Sequence, residues 1–410
     1  MRETEYAGER QLLSFWQLVT LLVLSTGIVA LSIDMMLPAL PAIGADLQVA
    51  GPNSQQLVIT AFLFGFGLAQ LVYGPLSDAW GRKPVILGAL ALYILATVFC
   101  LSAWSFEVLL AGRFLQGLTI AAARVVGTAV ARDLTSGRRM AQVVSMAMMV
   151  FMAVPVVAPS LGQLVLLVAP WRWIFVVLLI AASSLGIWLA YRLPETLHEK
   201  YRRRLDVKGT LGGFRECLRH RALVGYMLAG ACFFGGLYAL LNMSEQLMAR
   251  HFDLGTSWTL AFAVMAGFMA ITNFVNSRLV MQYGQRRLSQ AALIGFTIIS
   301  ASHAGLILTG MDNIWTFMVL LSAAMMLMGL IAANFNALAM EPVGHIAGTA
   351  SAIYGFGTGV IGALIGMVLG QLYNDTALPL IGGQTLTGLA AFAIVFITER
   401  GELFGEGTED

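Results

Sequence analysis

Charge is scarce in this chain. Asp, Glu, Lys and Arg together make up 11% of its 410 residues, where an ordinary soluble domain carries about 25%. That excludes a water-soluble enzyme core. With no basic domain outside the apolar runs, it also excludes nucleic acid as a partner. Cysteine is scarcer still. Cys100, Cys217 and Cys232 stand far apart, which leaves neither a disulfide framework nor a Cys/His metal site. A phosphate-binding loop ending in Gly-Lys-Ser/Thr and a serine elbow are both missing. Met1 to Gln11 holds three glutamates and two arginines, and no A-x-A site follows the first apolar run. That run is therefore expected to stay as a span.

What is abundant is apolar length. Hydrophobic residues reach 58%, with 43 Gly and 21 Met. Twelve runs can cross a bilayer as helices, near 14–37, 54–74, 84–101, 105–131, 140–164, 171–192, 221–246, 257–280, 288–309, 314–340, 346–370 and 377–397. Their continuity excludes the short alternations of a barrel. The expected fold class is an all-α polytopic membrane protein with twelve transmembrane helices. Orientation follows from Lys and Arg. With the N-terminus inside, 20 of the 24 lie on inward segments and only Arg172 and Arg250 lie outward. Both termini are thus expected in the cytoplasm, with the chain in the cell's inner membrane. The most basic connection separates 1–192 from 221–410, leaving 193–220 as a linker. Its Arg202-Arg203-Arg204 tract fits anionic lipid or a soluble tether equally. A short amphipathic helix fits 206–219.

The stretch Gly74-Pro-Leu-Ser-Asp78-Ala-Trp-Gly81-Arg82-Lys83 is a polar break between two long apolar runs. Such a short connection forces an antiparallel helix pair, with its charges at a membrane face. A degenerate copy, Ser277 to Arg287, places Gly284 203 residues after Gly81, with Met281 where the first copy has Asp78. Six plus six spans with matching turns predict two pseudo-symmetric six-helix bundles around a central cleft.

Ionisable groups inside spans are costly and are the first functional candidates. Asp34 lies about one turn from the outer end of helix one, and Arg113 about two turns from the outer end of helix four. They are expected to face each other, as a proton or cation site or as a static ion pair. Arg113 and Arg124 are eleven residues apart and share a helical face with Gln116, so this stripe should line a cavity. Tyr238, Asn242 and Glu245 share a face of helix seven. Glu245 reads either as lining that cavity or as an interfacial helix end. Asn273, Asn276, Asn334 and Asn336 fit interhelical hydrogen bonds or substrate contact. Glu341 reads as a solvated cap and His303 as a packed side chain. Pro155 and Pro159 should bend helix five, and Gly162 allows a tight contact there, as a hinge, a seal or a plain kink. Gly357-x-Gly359-x-x-Gly362 matches a dinucleotide fingerprint, but inside a span with no strand before it. Close helix packing is the better account. No cofactor is expected. Uphill transport would draw on an ion gradient, a proton gaining about 2.3 kcal/mol per 100 mV.

Gly74-x-x-x-Asp78-x-x-Gly81-Arg82-Lys83 resembles the loop between helices two and three of the major facilitator superfamily. Arg113, in Leu110-Ala-Gly-Arg113-Phe-Leu-Gln116-Gly117, is similar to that family's buried arginine motif. Asp34-x-x-x-Pro38 and Pro159-x-x-Gly162 resemble its twelve-span drug:proton antiporters, though Ala158 and Gln163 stand where that motif has glycine. With Pro194-Glu195-Thr196, the nearest resemblance is to Bcr/CflA-type multidrug and chloramphenicol-type exporters. The resemblance implies that Asp34 couples protons to drug and that Arg113 tunes the cavity. It implies that Asp78 binds, at the cytoplasmic face, the start of helix eleven and a base such as Arg132, and so holds the outward-open state shut below. Phe62, Phe66, Tyr238 and Phe335 would give adaptable apolar contact. The expected protein is a monomeric, proton-driven exporter of small amphipathic drugs, with membrane lipid around it. Alternatives are a dedicated carrier of one metabolite, such as a sugar or amino acid, and a receptor or scaffold that moves nothing.

Overall fold

The computed structural model describes residues 13–405 apart from 52, 136, 199, 201 and 203–206. Arg2, Arg10, Arg203 and Arg204 of the expected inward set lie outside the described residues. In chain order the helices are α1 Phe15–Asp34, α2 Leu40–Asp46, α3 Leu57–Trp80, α4 Arg82–Leu101, α5 Phe106–Leu134, α6 Gly137–Val168 and α7 Arg172–Arg192. They continue with α8 Val207–Cys217, α9 Arg221–Glu245, α10 Trp258–Tyr283, α11 Gln285–Leu308, α12 Ile314–Met340, α13 Ala347–Gln371 and α14 Leu378–Thr398. No strand occurs among the described residues. Among the described residues, eleven helical segments are long and apolar enough to cross a membrane, α1 and α2 counting together as Phe15–Asp46. α6 is 32 residues long, and its apolar part is Ala153–Val168. α8 is the short helix expected in the linker.

Helix ends follow local chemistry. Ser14 and Gln17 form a reciprocal capping box at the start of α1, and Asn313 with Thr316 does the same for α12. Each satisfies backbone donors that would otherwise be orphaned. α1 breaks before Pro38, at Asp34, three residues earlier than the expected run ends. There the Met36 amide donates to the Ile33 carbonyl at 3.3 Å, so the Ser32 carbonyl loses its i+4 partner inside the membrane. At the opening motif, α3 runs unbroken through Pro75 to Trp80. Gly74 to Asp78 are therefore helical and not a loop. Only Gly81 breaks the chain, at φ 98°.

α3 packs on α5, α4 on α5 and α7, and α1 on α6; in the later half α9 packs on α13 and α14, α11 on α12 and α14, and α10 on α12. The most extensive contacts joining these sets are α3 with α13 and α6 with α10, and residues 37–39 and 54–56 add smaller ones to α9 and α13. At the arginine-rich end, which carries Gly81, α8 and Gly284, the first set keeps its own apolar core. At the opposite end Met35, Met36, Leu37, Val58 and Ile59 merge with the core of the second set. A polar seam reinforces that merger. Asn53 Nδ2 donates to the carbonyls of Gln371 (3.1 Å) and Tyr373 (2.8 Å). Gln56 Nε2 donates to Gln246 Oε1 at 2.5 Å, and Gln246 Nε2 to Asn53 Oδ1 at 3.2 Å. The Tyr373 hydroxyl lies 3.3 Å from the Gln246 carbonyl; burial pushes this loop phenol up to about 12, so it stays a neutral donor. Midway down, Gln70 Nε2 donates to the Gly355 carbonyl at 3.2 Å.

Candidate functional site

α5 holds Arg113 at the centre of the first bundle, fully buried. Its Nη2 donates to the Ser32 carbonyl freed by the α1 break (2.9 Å), its Nε to the Val58 carbonyl (3.2 Å), and its Nη1 to Gln116 Oε1 (2.9 Å). Its guanidinium lies 4.5 Å from the Phe62 ring centroid. Gln116 Nε2 continues to Thr97 Oγ1 at 2.8 Å, and the Ser32 and Tyr93 hydroxyls lie 2.6 Å apart. Four helices are thus tied by one cation and neutral acceptors.

Asp34 stands two residues beyond Ser32 and is 4% exposed. The expected Asp34–Arg113 ion pair is absent. No salt bridge to Asp34 forms within 4 Å among the described residues, because the broken helix end offers Arg113 a backbone carbonyl instead. Gln116 and Phe62 were expected in a cavity; both are packed within the first bundle. Phe335 is likewise core, edge-on to Tyr226 at 5.2 Å. Phe66 is core of the first bundle as well, while Arg124 on α5 and Tyr238 on α9 keep some exposure. Phe66 stacks 6.4 Å from Phe62, and Arg124 lies 5.9 Å from the Phe66 ring centroid.

Glu245, the last residue of α9, is 6% exposed, so the helix end it occupies is packed against protein. Its Oε1 receives Arg250 Nε at 3.3 Å, while its Oε2 is buried without a partner. Asn242 donates to the Gly366 carbonyl at 3.1 Å and spans to Thr60 Oγ1 at 3.5 Å. Asn334 reaches Asn276 Oδ1 at 2.8 Å, tying α12 to α10. α6 continues through Pro155 and Pro159. Its Gly162 touches the α1 break so closely that a Cβ would fall 2.2 Å from the Met35 carbonyl oxygen.

At the arginine-rich end Arg82 is the hub. Its Nη1 meets Asp78 Oδ1 at 2.5 Å and Ser77 Oγ at 2.7 Å, and its Nε meets Asp133 Oδ2 at 3.0 Å. Glu195 accepts the Arg82 amide (2.9 Å) and the Lys83 amide (3.2 Å), capping α4. Lys83 Nζ donates to the Ala190 carbonyl at 2.9 Å. The expected docking of Asp78 on the start of α13 and on Arg132 belongs to the state shut at this end; here the seal lies at the other end, Asp78 pairs with Arg82 instead, and Arg132 is exposed. The second half repeats the scheme. Arg286 Nη2 meets Glu341 at 2.9 Å, with Glu341 still 55% exposed at the C-cap of α12 as a solvated cap should be, and Arg286 Nε meets Glu399 at 3.3 Å. Tyr226 donates to Glu399 at 2.5 Å. Asp133 and Glu399 carried no motif of their own. Position in the repeat could have found them: Glu195 and Glu399 each follow the sixth span of their half.

Two related helical sets, sealed at one end and carrying buried charge between them, define a polytopic membrane carrier. The chain belongs to the Major Facilitator Superfamily, whose family model matches residues 22–398. It is 30% identical over 374 residues to the uncharacterised MFS-type transporter YdgK of Bacillus subtilis, covering 90% of this chain and 89% of that one. It is 29% identical over 391 residues to a bicyclomycin resistance protein homolog of Haemophilus influenzae, covering 92% and 96%. Among solved structures, the xylose transporter XylE from E. coli, in a partially occluded inward open conformation, superposes with a TM-score of 0.74 at 11% identity, covering 96% of this chain and 99% of that one. That likeness shows the fold. The chain is therefore a secondary transporter working by alternating access, and not an enzyme.

Proposed function

We propose that the chain is a proton-coupled antiporter that exports small amphipathic drugs, in the Bcr/CflA-type branch, with α6 as its twelfth span. The arginine-rich end faces the cytoplasm with both termini, the membrane is the bacterial inner membrane, and the protein acts as a monomer. Residues 1–192 and 221–410 are the rocking bundles, joined by the 193–220 linker, whose bases meet anionic lipid. One observation carries the coupling: Asp34 is a buried carboxylate with no ion pair, and ionisable groups are kept inside membranes where ions or substrates pass. Arg113 holds the backbone on which Asp34 sits. Phe66, Arg124, Tyr238, Asn242 and Glu245 face the path of solute; Asp78, Arg82, Lys83, Gly81, Pro155, Pro159 and Gly162 serve the change of state. The bicyclomycin-resistance name of one relative supports drugs as substrate.

A second reading is a dedicated carrier of one metabolite. The likeness to the xylose transporter favours it over the first at the level of fold. Sealed vesicles separate the two. Drug added to protein-bearing vesicles should release protons, and Asp34→Asn should abolish that release. Proton-linked xylose uptake without any drug response would establish the second reading and end the first.

A further inference from the structure

Arg113 and Arg124, on one face of α5, are used very differently. Arg113 spends three N–H groups on fixed acceptors. The Arg124 guanidinium makes no hydrogen bond or ion pair among the described residues and lies 5.9 Å from the Phe66 ring centroid. It lies about three turns nearer the arginine-rich end than Arg113, where the bundles no longer share a core. Across the gap stand Tyr238 and Tyr354, close enough for the Arg124 charge to act on both hydroxyls. The Tyr354 hydroxyl is buried and unpartnered, beside Gly230 of α9. Gln70 anchors the neighbouring Gly355 carbonyl to α3. An idle planar fork of five donors, an unused phenol and an aromatic face thus converge between the two bundles, below the seam.

We infer that Arg124, Tyr354, Tyr238 and Phe66 form the recognition point for an anionic group on an aromatic or amphipathic substrate. This rests on the transporter reading and narrows its substrate class to amphipathic anions. Arg124 pairs with the anion bidentately, Tyr354 donates to it, and Phe66 and Tyr238 cover the apolar part. With the cytoplasm negative, the membrane potential itself favours outward movement of such a solute, so proton influx and anion efflux pull together.

The test is equilibrium binding to the purified full-length protein in detergent, with no gradient. The probes are 1-naphthoate, 1-naphthamide and 1-naphthylmethylammonium. The carboxylate should bind about tenfold or more tighter than the amide. Arg124→Gln should erase that difference and leave the amide within about twofold, while Arg124→Lys should recover part of it. Tyr354→Phe should weaken the carboxylate alone, by a few fold, which keeps the proposal testable where Arg124→Gln does not fold. Equal binding of carboxylate and amide, tighter binding of the ammonium, or equal loss of all three in Arg124→Gln would overturn it. Because no proton gradient is involved, failure of drug-driven proton release would leave a carboxylate preference at Arg124 standing, and the reverse.

Discussion

The glycines of the opening motif look equivalent in sequence, yet their surroundings predict three different costs on replacement by alanine. Gly81 sits at φ 98°, ψ 158° and Gly284 at φ 77°, ψ 158°, a region open essentially to glycine alone. A Cβ there costs about 1–3 kcal/mol in strain. At Gly284 nothing else lies within 4 Å, so strain is the whole effect. At Gly81 the new Cβ would also fall 2.4 Å from Glu195 Oε2, the carboxylate that caps α4 through the Arg82 and Lys83 amides. Displacing it forfeits charge-assisted hydrogen bonds, which we place at about 1 kcal/mol each because the residue is partly exposed. Gly81→Ala should therefore cost about 2–5 kcal/mol and Gly284→Ala about 1–3 kcal/mol. Gly74 lies inside α3 with nothing within 4 Å, so Gly74→Ala should be neutral or stabilise by up to about 1 kcal/mol. Melting of the detergent-purified proteins, read by gel filtration after heating, should rank them in that order. Combining Gly81→Ala with Glu195→Ala should cost less than the sum of the two, since the clash is removed. Equal losses at Gly74 and Gly81, or strict additivity of the pair, would refute the reasoning.

Arg113→Lys should lower the melting temperature and transport together, because one ammonium cannot reach the Ser32 and Val58 carbonyls and Gln116 at once; unchanged melting would contradict the network. Gly162→Ala should destabilise by about 1–3 kcal/mol through overpacking against the Met35 carbonyl. Gly186→Ala, with open space around it, should not, and the same melting assay compares them.

Much of the fold was legible because membrane spans obey one strong rule, the internal satisfaction of every backbone group over a fixed thickness. Apolar length therefore located the helices, and the Gly81–Gly284 repeat marked the two halves. Side-chain partners were not legible in the same way. Arg113 and Asp34 invited pairing by charge and depth, but the break before Pro38 freed the Ser32 carbonyl, which competes for the guanidinium. Gln116 lies three residues from Arg113 and so within its reach, which turned an expected cavity residue into part of a packed network. The seam of Asn53, Gln56, Gln246 and Gln371 had no signature, because neutral amides on three separate segments become a device only when tertiary packing gathers them.

The charges at the arginine-rich end explain how a gate could be stable in one state and still be released. Arg82 is shared between Asp78 and Asp133, whose side chains are 44% and 19% exposed. The more exposed partner contributes less, since water can replace it, while Asp133 and Ser77 keep the guanidinium satisfied without it. Asp78 is thus the acid this cluster can give up at small cost when the bundles close at that end, whereas Asp133 is structural. Asp78→Asn should leave melting within about 1 kcal/mol of the parent yet reduce transport severalfold, by weakening the state with that end shut. Asp133→Asn should lower melting first. A marked loss of stability in Asp78→Asn with transport per folded molecule intact would reverse the assignment, making Asp78 the fixed partner and Asp133 the mobile one.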